Sequence, residues 1–261
     1  MNEPKRLRRP SAGGYARGDE TRLRIIDAAI ELFGEYGFDG ASTRDIAARA
    51  GVNAPALQYY FENKEGVLRA CAEHIADDIW QAFGPTVDYV VEVLRSGADA
   101  PTLIDAYMRI LDAVADKMFE KSSKPNHRLF FAREQSGREP DIASEILMRR
   151  VRKPLNEVTA ALISRVTGTA PDDPITLIRM LSLHGQLMIF HVAPRTSLAL
   201  LGWKEIDAEK GELLKRTMRD QAQILLEYWS RERTEPVAAS RQPTVRSDAG
   251  NARNKSRDAR R

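Results

Sequence analysis

The chain has 261 residues, 43% hydrophobic and 30% charged, with a formal net charge of +3. That balance excludes a fully disordered chain, a collagen and a disulfide scaffold. One cysteine, Cys71, rules out an intramolecular disulfide and a cysteine-built metal site, and fits a reducing cytoplasm.

The charge is unevenly placed. Residues 1–24 carry seven basic side chains against three acidic ones, and residues 231–261 carry nine against four, so the body between them is net acidic. The first 20 residues are basic without an apolar core, so no secretory signal is expected. No run approaches the roughly 18 apolar residues of a membrane-spanning helix. The basic ends suit either a polyanion such as nucleic acid or plain solvation.

Taken in chain order, residues 1–18 read as a disordered basic arm. A first helix is expected from Asp19 or Thr21 to about Tyr36, where Leu23, Ile26, Ile30 and Phe33 recur at three and four. Gly37 is its stop. Ser42 or Thr43 caps a short second helix that ends at Gly51. Asn53 caps a third, with Pro55 in its first turn and an end at Tyr60 or Phe61. Asn63 caps a fourth from Lys64 to about Ala82, where Gly84-Pro85 is expected to break it. Further helices are expected at 85–96, 101–120, 125–136, 140–167, 174–193 and 206–231. Residues 233–261 read as a second disordered basic tail. No strand pattern is present, so the fold class is all-α. It divides into a 19–66 DNA-binding head and a 67–232 helical body for ligand binding and dimerisation.

Residues 43–62, TRDIAARAGVNAPALQYYFE, carry the chemistry. Two short helices meet at a turn containing glycine. Ala47 is small where the second helix crosses the first, and Gly51 supplies positive φ in the turn. Ile46, Ala50, Val52, Leu57 and Tyr60 sit at inward positions. Ala54, Pro55, Ala56, Gln58 and Tyr59 are left facing outward. That is a helix-turn-helix, whose second helix enters a DNA major groove. An ordinary helical hairpin shares the outline but not all these sizes in register.

The run AA-x-x-LF-x-x-x-G from Ala28, the T-x-x-x-IA-x-x-AGV turn and the YYF-x-NKE-x-L exit resemble the DNA-binding head of the TetR family of bacterial transcriptional regulators. The stretches HRLFFAREQSGREPDIASEIL, TGTAPDDPITLIRMLSLHGQLMIF and LALLGW resemble the CecR-like branch of that family. The resemblance implies a ligand-responsive regulator, most often a repressor, that binds a palindromic operator as a homodimer and is released by a small molecule. It implies phosphate contacts from Thr43, Arg44, Tyr60 and Lys64, and base-facing positions at Ala54, Pro55, Gln58 and Tyr59. The chain departs from the commoner pattern at Ala56, where many members have Thr, and at Gln58, where many have Tyr. A helical interaction protein without specific DNA binding therefore stays open as an alternative.

The resemblance also implies a dimer built from the last two long helices, with Leu214, Met218, Leu225 and Tyr228 as the stripe on the last. Residues 101–193 should enclose a pocket for the small-molecule effector. Met108, Arg109, Phe130, Phe131, Arg133 and His184 are the expected contacts, with Met118, Phe119, His127, Met180 and Gln186 near them. No metal site is expected, since His184 and His191 lack a carboxylate at ligand spacing. No G-x-S-x-G, P-loop or dinucleotide-binding motif is present, so neither an enzyme nor a cofactor is expected.

Overall fold

The computed structural model describes residues 12–119 and 125–234. These residues form eleven α-helices, and no strand occurs among them. The helices are α1 (Ala12–Gly40), α2 (Thr43–Arg49), α3 (Ala54–Phe61), α4 (Lys64–Arg95), α5 (Ala100–Phe119) and α6 (Pro125–Gln135). They continue as α7 (Asp141–Leu147), α8 (Lys153–Thr167), α9 (Pro174–Val192), α10 (Pro194–Leu201) and α11 (Ala208–Thr234). A π-helical turn, Met148–Arg152, joins α7 to α8.

Four boundaries differ from the expected ones. First, α1 starts at Ala12, so the second half of the supposed arm is helical. Residues 1–11 and 235–261 lie outside the described residues. Second, α4 runs unbroken through Gly84-Pro85. An internal proline costs about 3 kcal/mol. Phe83, Val87, Val90 and Val93 are all buried along the same helix. Each fully buried side chain of that kind contributes about 1.5–3 kcal/mol, so packing wins. Third, the expected 140–167 helix is interrupted by the π turn. Pro154 has no N–H for the carbonyl four residues back. The Lys153 amide bonds instead to the Met148 carbonyl, five residues back. Fourth, α10 was not expected. Pro194 reads as a breaker, yet proline at the first helical position also starts helices.

Two hydrophobic cores share α4. One joins Ile26, Ile30, Ile46 and Leu57 of the head, with Val67 of α4, to Phe130, Ile146 and Leu147 from α6 and α7. The other joins Val90 at the far end of α4 to Tyr107, Leu162, Leu183 and Leu226. The first core therefore spans the expected division near residue 66, so head and body pack as neighbours rather than as beads on a linker.

Candidate nucleic-acid interface and interior cavity

The geometry of the head follows from its caps and its turn. The Ser42 hydroxyl accepts from the Asp45 amide at 3.1 Å, and the Asn53 carboxamide oxygen accepts from the Ala56 amide at 3.0 Å. Gly51 takes φ +67°, which a side chain would resist. The Val52 amide then donates to the Ala47 carbonyl at 2.9 Å and closes the turn. Ile46, Ala47, Ala50 and Leu57 are buried beneath it.

This folding leaves one face of α3 in solvent. Ala54, Pro55, Gln58 and Tyr59 are exposed, Tyr59 at 84%. Arg44 of α2 is exposed beside them, while Thr43, at the first position of α2, is half-buried. Lys64 is half-buried at the start of α4, its ammonium 4.4 Å from the centre of the Phe38 ring. Tyr60 is half-buried, edge-on to Tyr59 at 5.3 Å, and its hydroxyl faces Gly18 of α1. Gly18 of α1 thus lies beside the recognition helix.

Behind the head, α1 is broken at Gly37, where φ is +79°. The break separates two groups that a continuous helix would pair, the Gly34 carbonyl and the Phe38 amide. The body replaces both. Arg133 of α6 donates from Nε to the Gly34 carbonyl at 2.8 Å and from Nη2 to the Glu35 carbonyl at 2.7 Å. Glu139 accepts from the Phe38 amide at 2.7 Å. A cation on the carbonyl end of a helix and an anion on a freed amide are each favourable. Gly34 lets α6 come this close, because a Cβ there would lie 2.9 Å from the Asn126 carbonyl oxygen.

A cavity of about 410 Å³ lies on the other side of α6, between α4, α5, α8 and α9. Ile75, Ile79, Phe83, Met118, Phe131 and Leu155 contribute to its apolar wall. Its charged groups are Asp78, Lys117, Arg128 and Arg152. Lys117 pairs with Asp78 at 2.8 Å. Arg152, from the π turn, holds Glu134 of α6 through two hydrogen bonds of 2.9 and 2.5 Å. Burial works to raise the Glu134 pKa, but the Arg152 and Ser144 hydrogen bonds outweigh it and hold the carboxyl below its ordinary value.

Of the six expected effector contacts, Phe131 lines this cavity. The other five are placed elsewhere. Phe130 is buried in the core shared with the head, and Arg133 caps α1. Arg109 lies over the Tyr89 ring and pairs with Asp105 on the exposed face of α5. Met108 is buried and lines a separate cleft of about 350 Å³ between α5 and α11. His184 is not among the lining residues; desolvation lowers its pKa to about 4. Sequence reasoning missed Ile79 and Phe83 because it confined the pocket to residues 101–193, which leaves out α4, and it missed Lys117 because periodicity gives no register between α4 and α5. The signal for Arg128 was present, since Arg128, Phe131 and Gln135 recur at three and four on one face.

The comparisons with known proteins agree with this architecture. Residues 25–71 match the family described as bacterial regulatory proteins, tetR family. Residues 103–228 match the C-terminal domain of the HTH-type transcriptional dual regulator CecR. The CecR regulator of Shigella flexneri is 31% identical over 212 residues, covering 81% of this chain and 93% of that one. The chain belongs to the TetR family of helix-turn-helix transcriptional regulators. Within the head, the class A tetracycline repressor from transposon 1721 of Escherichia coli is 41% identical over 70 residues, covering 23% of this chain and 32% of that one. Two solved structures share the TetR-family fold at low identity. A TetR-family regulator from Bordetella parapertussis has 17% identity and a TM-score of 0.52, covering 77% of this chain and 93% of that one. AibR, solved with isovaleryl coenzyme A and operator DNA, has 15% identity and a TM-score of 0.54, covering 77% and 97%. Among the described residues of this TetR-family regulator, no single helix is long and apolar enough to cross a membrane.

Proposed function

We propose that this TetR-family chain is a homodimeric repressor whose two α3 helices read a palindromic operator and whose interior cavity takes the effector that releases it. The observation that carries this reading is the exposed face of α3, held at its N-terminal end by the Asn53 cap and turned outward by Gly51. Gln58 is suited to pair with adenine through its carboxamide, and Tyr59 to meet a thymine methyl or a phosphate. Arg44, Lys64 and the N-terminus of α2 at Thr43 are suited to phosphate. Tyr60 is suited to support α3 from beneath, and Ala54 and Pro55 let its first turn approach the base edges closely. The head from Asp19 to Gly66 has five basic residues against nine acidic ones, so specific contacts matter more here than bulk charge.

Two reading heads must face successive major grooves, roughly 34 Å apart. A dimer face for that purpose is available on α9 and α11. Ile178 and Leu181 are 64% and 63% exposed, and Ile189 and Val192 continue the same stripe along α9. On α11, Leu213, Ile224 and Tyr228 are exposed, whereas Leu214 and Met218 are buried in the chain's own core. The sequence-based stripe on α11 therefore belongs mostly to the interior, and the neighbouring one faces out.

Helix α6 supports the link between effector and head. Phe131 and Arg128 line the cavity on one side, and Arg133 grips α1 on the other. An effector that displaces α6 shifts the head, provided it binds the released form more tightly. Footprinting on DNA upstream of the chain's own gene tests the reading. A protected palindrome is expected, with Gln58→Ala or Tyr59→Ala weakening binding by about 1–3 kcal/mol per half-site. Ile178→Asp with Leu181→Asp should give a monomer by light scattering and lose the footprint. Absence of protection by the wild-type protein at any promoter fragment of that region, or a footprint unaltered by both sets of changes, overturns the assignment.

A further inference from the structure

We infer that the effector taken by the interior cavity is an amphipathic anion: an apolar chain or ring system ending in a carboxylate or phosphate. The inference rests on the regulator reading above and names the chemistry of its effector site. The cavity is in the size range of small-molecule sites. Its wall is predominantly aliphatic and aromatic, with His74, His127 and Gln135 as its further polar groups, which fits an apolar body better than a polar one. Its charge is one-sided. Three cations, Lys117, Arg128 and Arg152, line it against a single carboxylate, Asp78.

Two of those cations are already compensated, Lys117 by Asp78 and Arg152 by Glu134. Arg128 is exposed and has no carboxylate partner among the described residues. It shares the α6 face with Phe131 and Gln135, and it lines the cavity while remaining exposed. A planar guanidinium beside an apolar cavity matches the two oxygens of a carboxylate or phosphate. A cationic effector would meet the same three cations with one occupied carboxylate to offset them. The geometry therefore selects against cations as well as for anions.

Calorimetric titration of the full-length protein with chain-matched probes below their micelle concentrations tests this. The probes are dodecanoate, dodecyl phosphate, dodecanol and dodecyltrimethylammonium. One or both anions should bind at least about tenfold more tightly than the alcohol or the cation. Comparing dodecanoate with dodecyl phosphate then separates the two head-group sources. Arg128→Gln should weaken the preferred anion about tenfold, and Arg128→Lys, which keeps the charge but loses the planar fork, should recover only part of that loss, with thermal unfolding of each variant without ligand checking the fold. Equal or tighter binding of the cation or alcohol, no binding by any probe, or an Arg128→Gln variant with unchanged anion affinity would overturn the inference. Footprinting of the same preparation separates the two claims. Selective anion binding without any footprint keeps the anion site and sinks the regulator reading. A footprint without anion binding does the reverse.

Discussion

The outward face of α2 and α3 and the helix seams of the body use their long polar side chains in opposite ways. On α2 and α3, Arg44 and Gln58 extend into solvent and have no side-chain partner among the described residues. In the body, basic side chains stitch one helix to the next. Arg150 reaches Asp77 at 2.6 Å, Lys215 reaches Asp116 at 2.8 Å, and Arg219 meets Asp112. The hydrogen bonds that the Lys215 ammonium donates to Asp116 and Glu212 raise its pKa and favour its charged form. Desolvation raises the Asp112 pKa against the pull of Arg219. The difference separates the two kinds of surface: side chains held ready for a partner, and side chains already committed to the fold. Truncating one kind should change binding, and truncating the other should change stability.

The largest expected effect tests that division directly. Glu134 is 5% exposed, and Arg152 is its ion-pair partner. Arg152→Ala leaves a buried carboxylate without its cation and should cost about 3 kcal/mol in urea denaturation. Arg44→Ala should stay within about 0.5 kcal/mol in the same assay. It should instead reduce the salt slope of operator binding by about one. If both variants lose similar stability, the distinction between head and body fails.

His184 is the body's exception, and it predicts a pH effect. Its Nε2 is buried without a hydrogen-bond partner, and desolvation lowers its pKa to about 4. The unfolded chain takes up this proton near the ordinary value of about 6.5, whereas the folded chain resists until about pH 4. Between those values the unfolded state binds more protons, so stability falls as pH drops. The slope from this one group approaches 1.4 kcal/mol per pH unit, roughly, within that window. Above the upper value it contributes no slope. His184→Leu should flatten denaturation midpoints between about pH 6.5 and pH 4 relative to wild type. An identical acid limb in both proteins would place His184 in contact with water.

The same contrast explains what the sequence made legible. The helix-turn-helix could be read because each position has a steric demand that few residues meet: Gly51 at positive φ, Ala47 at a crossing, Ser42 and Asn53 as caps. Those demands are local, so they appear in the order of residues. The body has only helical periodicity, which says that a face is buried and not against what. Leu213 and Leu214 are adjacent in sequence, yet the first is exposed and the second buried. Arg133 looked like a pocket residue because its acceptors, the Gly34 and Glu35 carbonyls, are nearly a hundred residues away and are freed by a kink at Gly37. The run through Gly84-Pro85 was hidden for a related reason. Local propensity argues for a break, and tertiary packing of Phe83 and Val87 overrides it.

Caps give the next prediction, smaller and confined to the head. Asn53→Ala removes the side chain that receives the Ala56 amide at 3.0 Å and should cost about 1 kcal/mol. Because that cap fixes the first turn of α3, hydrogen exchange should accelerate at the amides of Ala56 and Leu57, which bond to Asn53, and operator affinity should fall with it. Faster exchange confined to the body would mean that the cap does not hold α3.

The smallest effect sharpens the comparison most narrowly. Arg109 was expected at the effector, yet it pairs with Asp105 at 3.1 Å and lies 4.3 Å from the centre of the Tyr89 ring, with over half of its side chain exposed. A pair of that kind contributes only about 0.3–0.5 kcal/mol, and the ring contact about as much again. Arg109→Ala should therefore lower the unfolding free energy by less than about 1 kcal/mol and leave anion affinity at its wild-type value. Arg128→Gln should do the converse. The two arginines are nineteen positions apart, on the two helices that follow α4, and carry the same charge; what separates them is that a carboxylate already answers one and an apolar cavity opens beside the other. Loss of anion affinity in Arg109→Ala would show that the effector extends out of the cavity onto the face of α5, and the lining residues named above would then describe only part of its site.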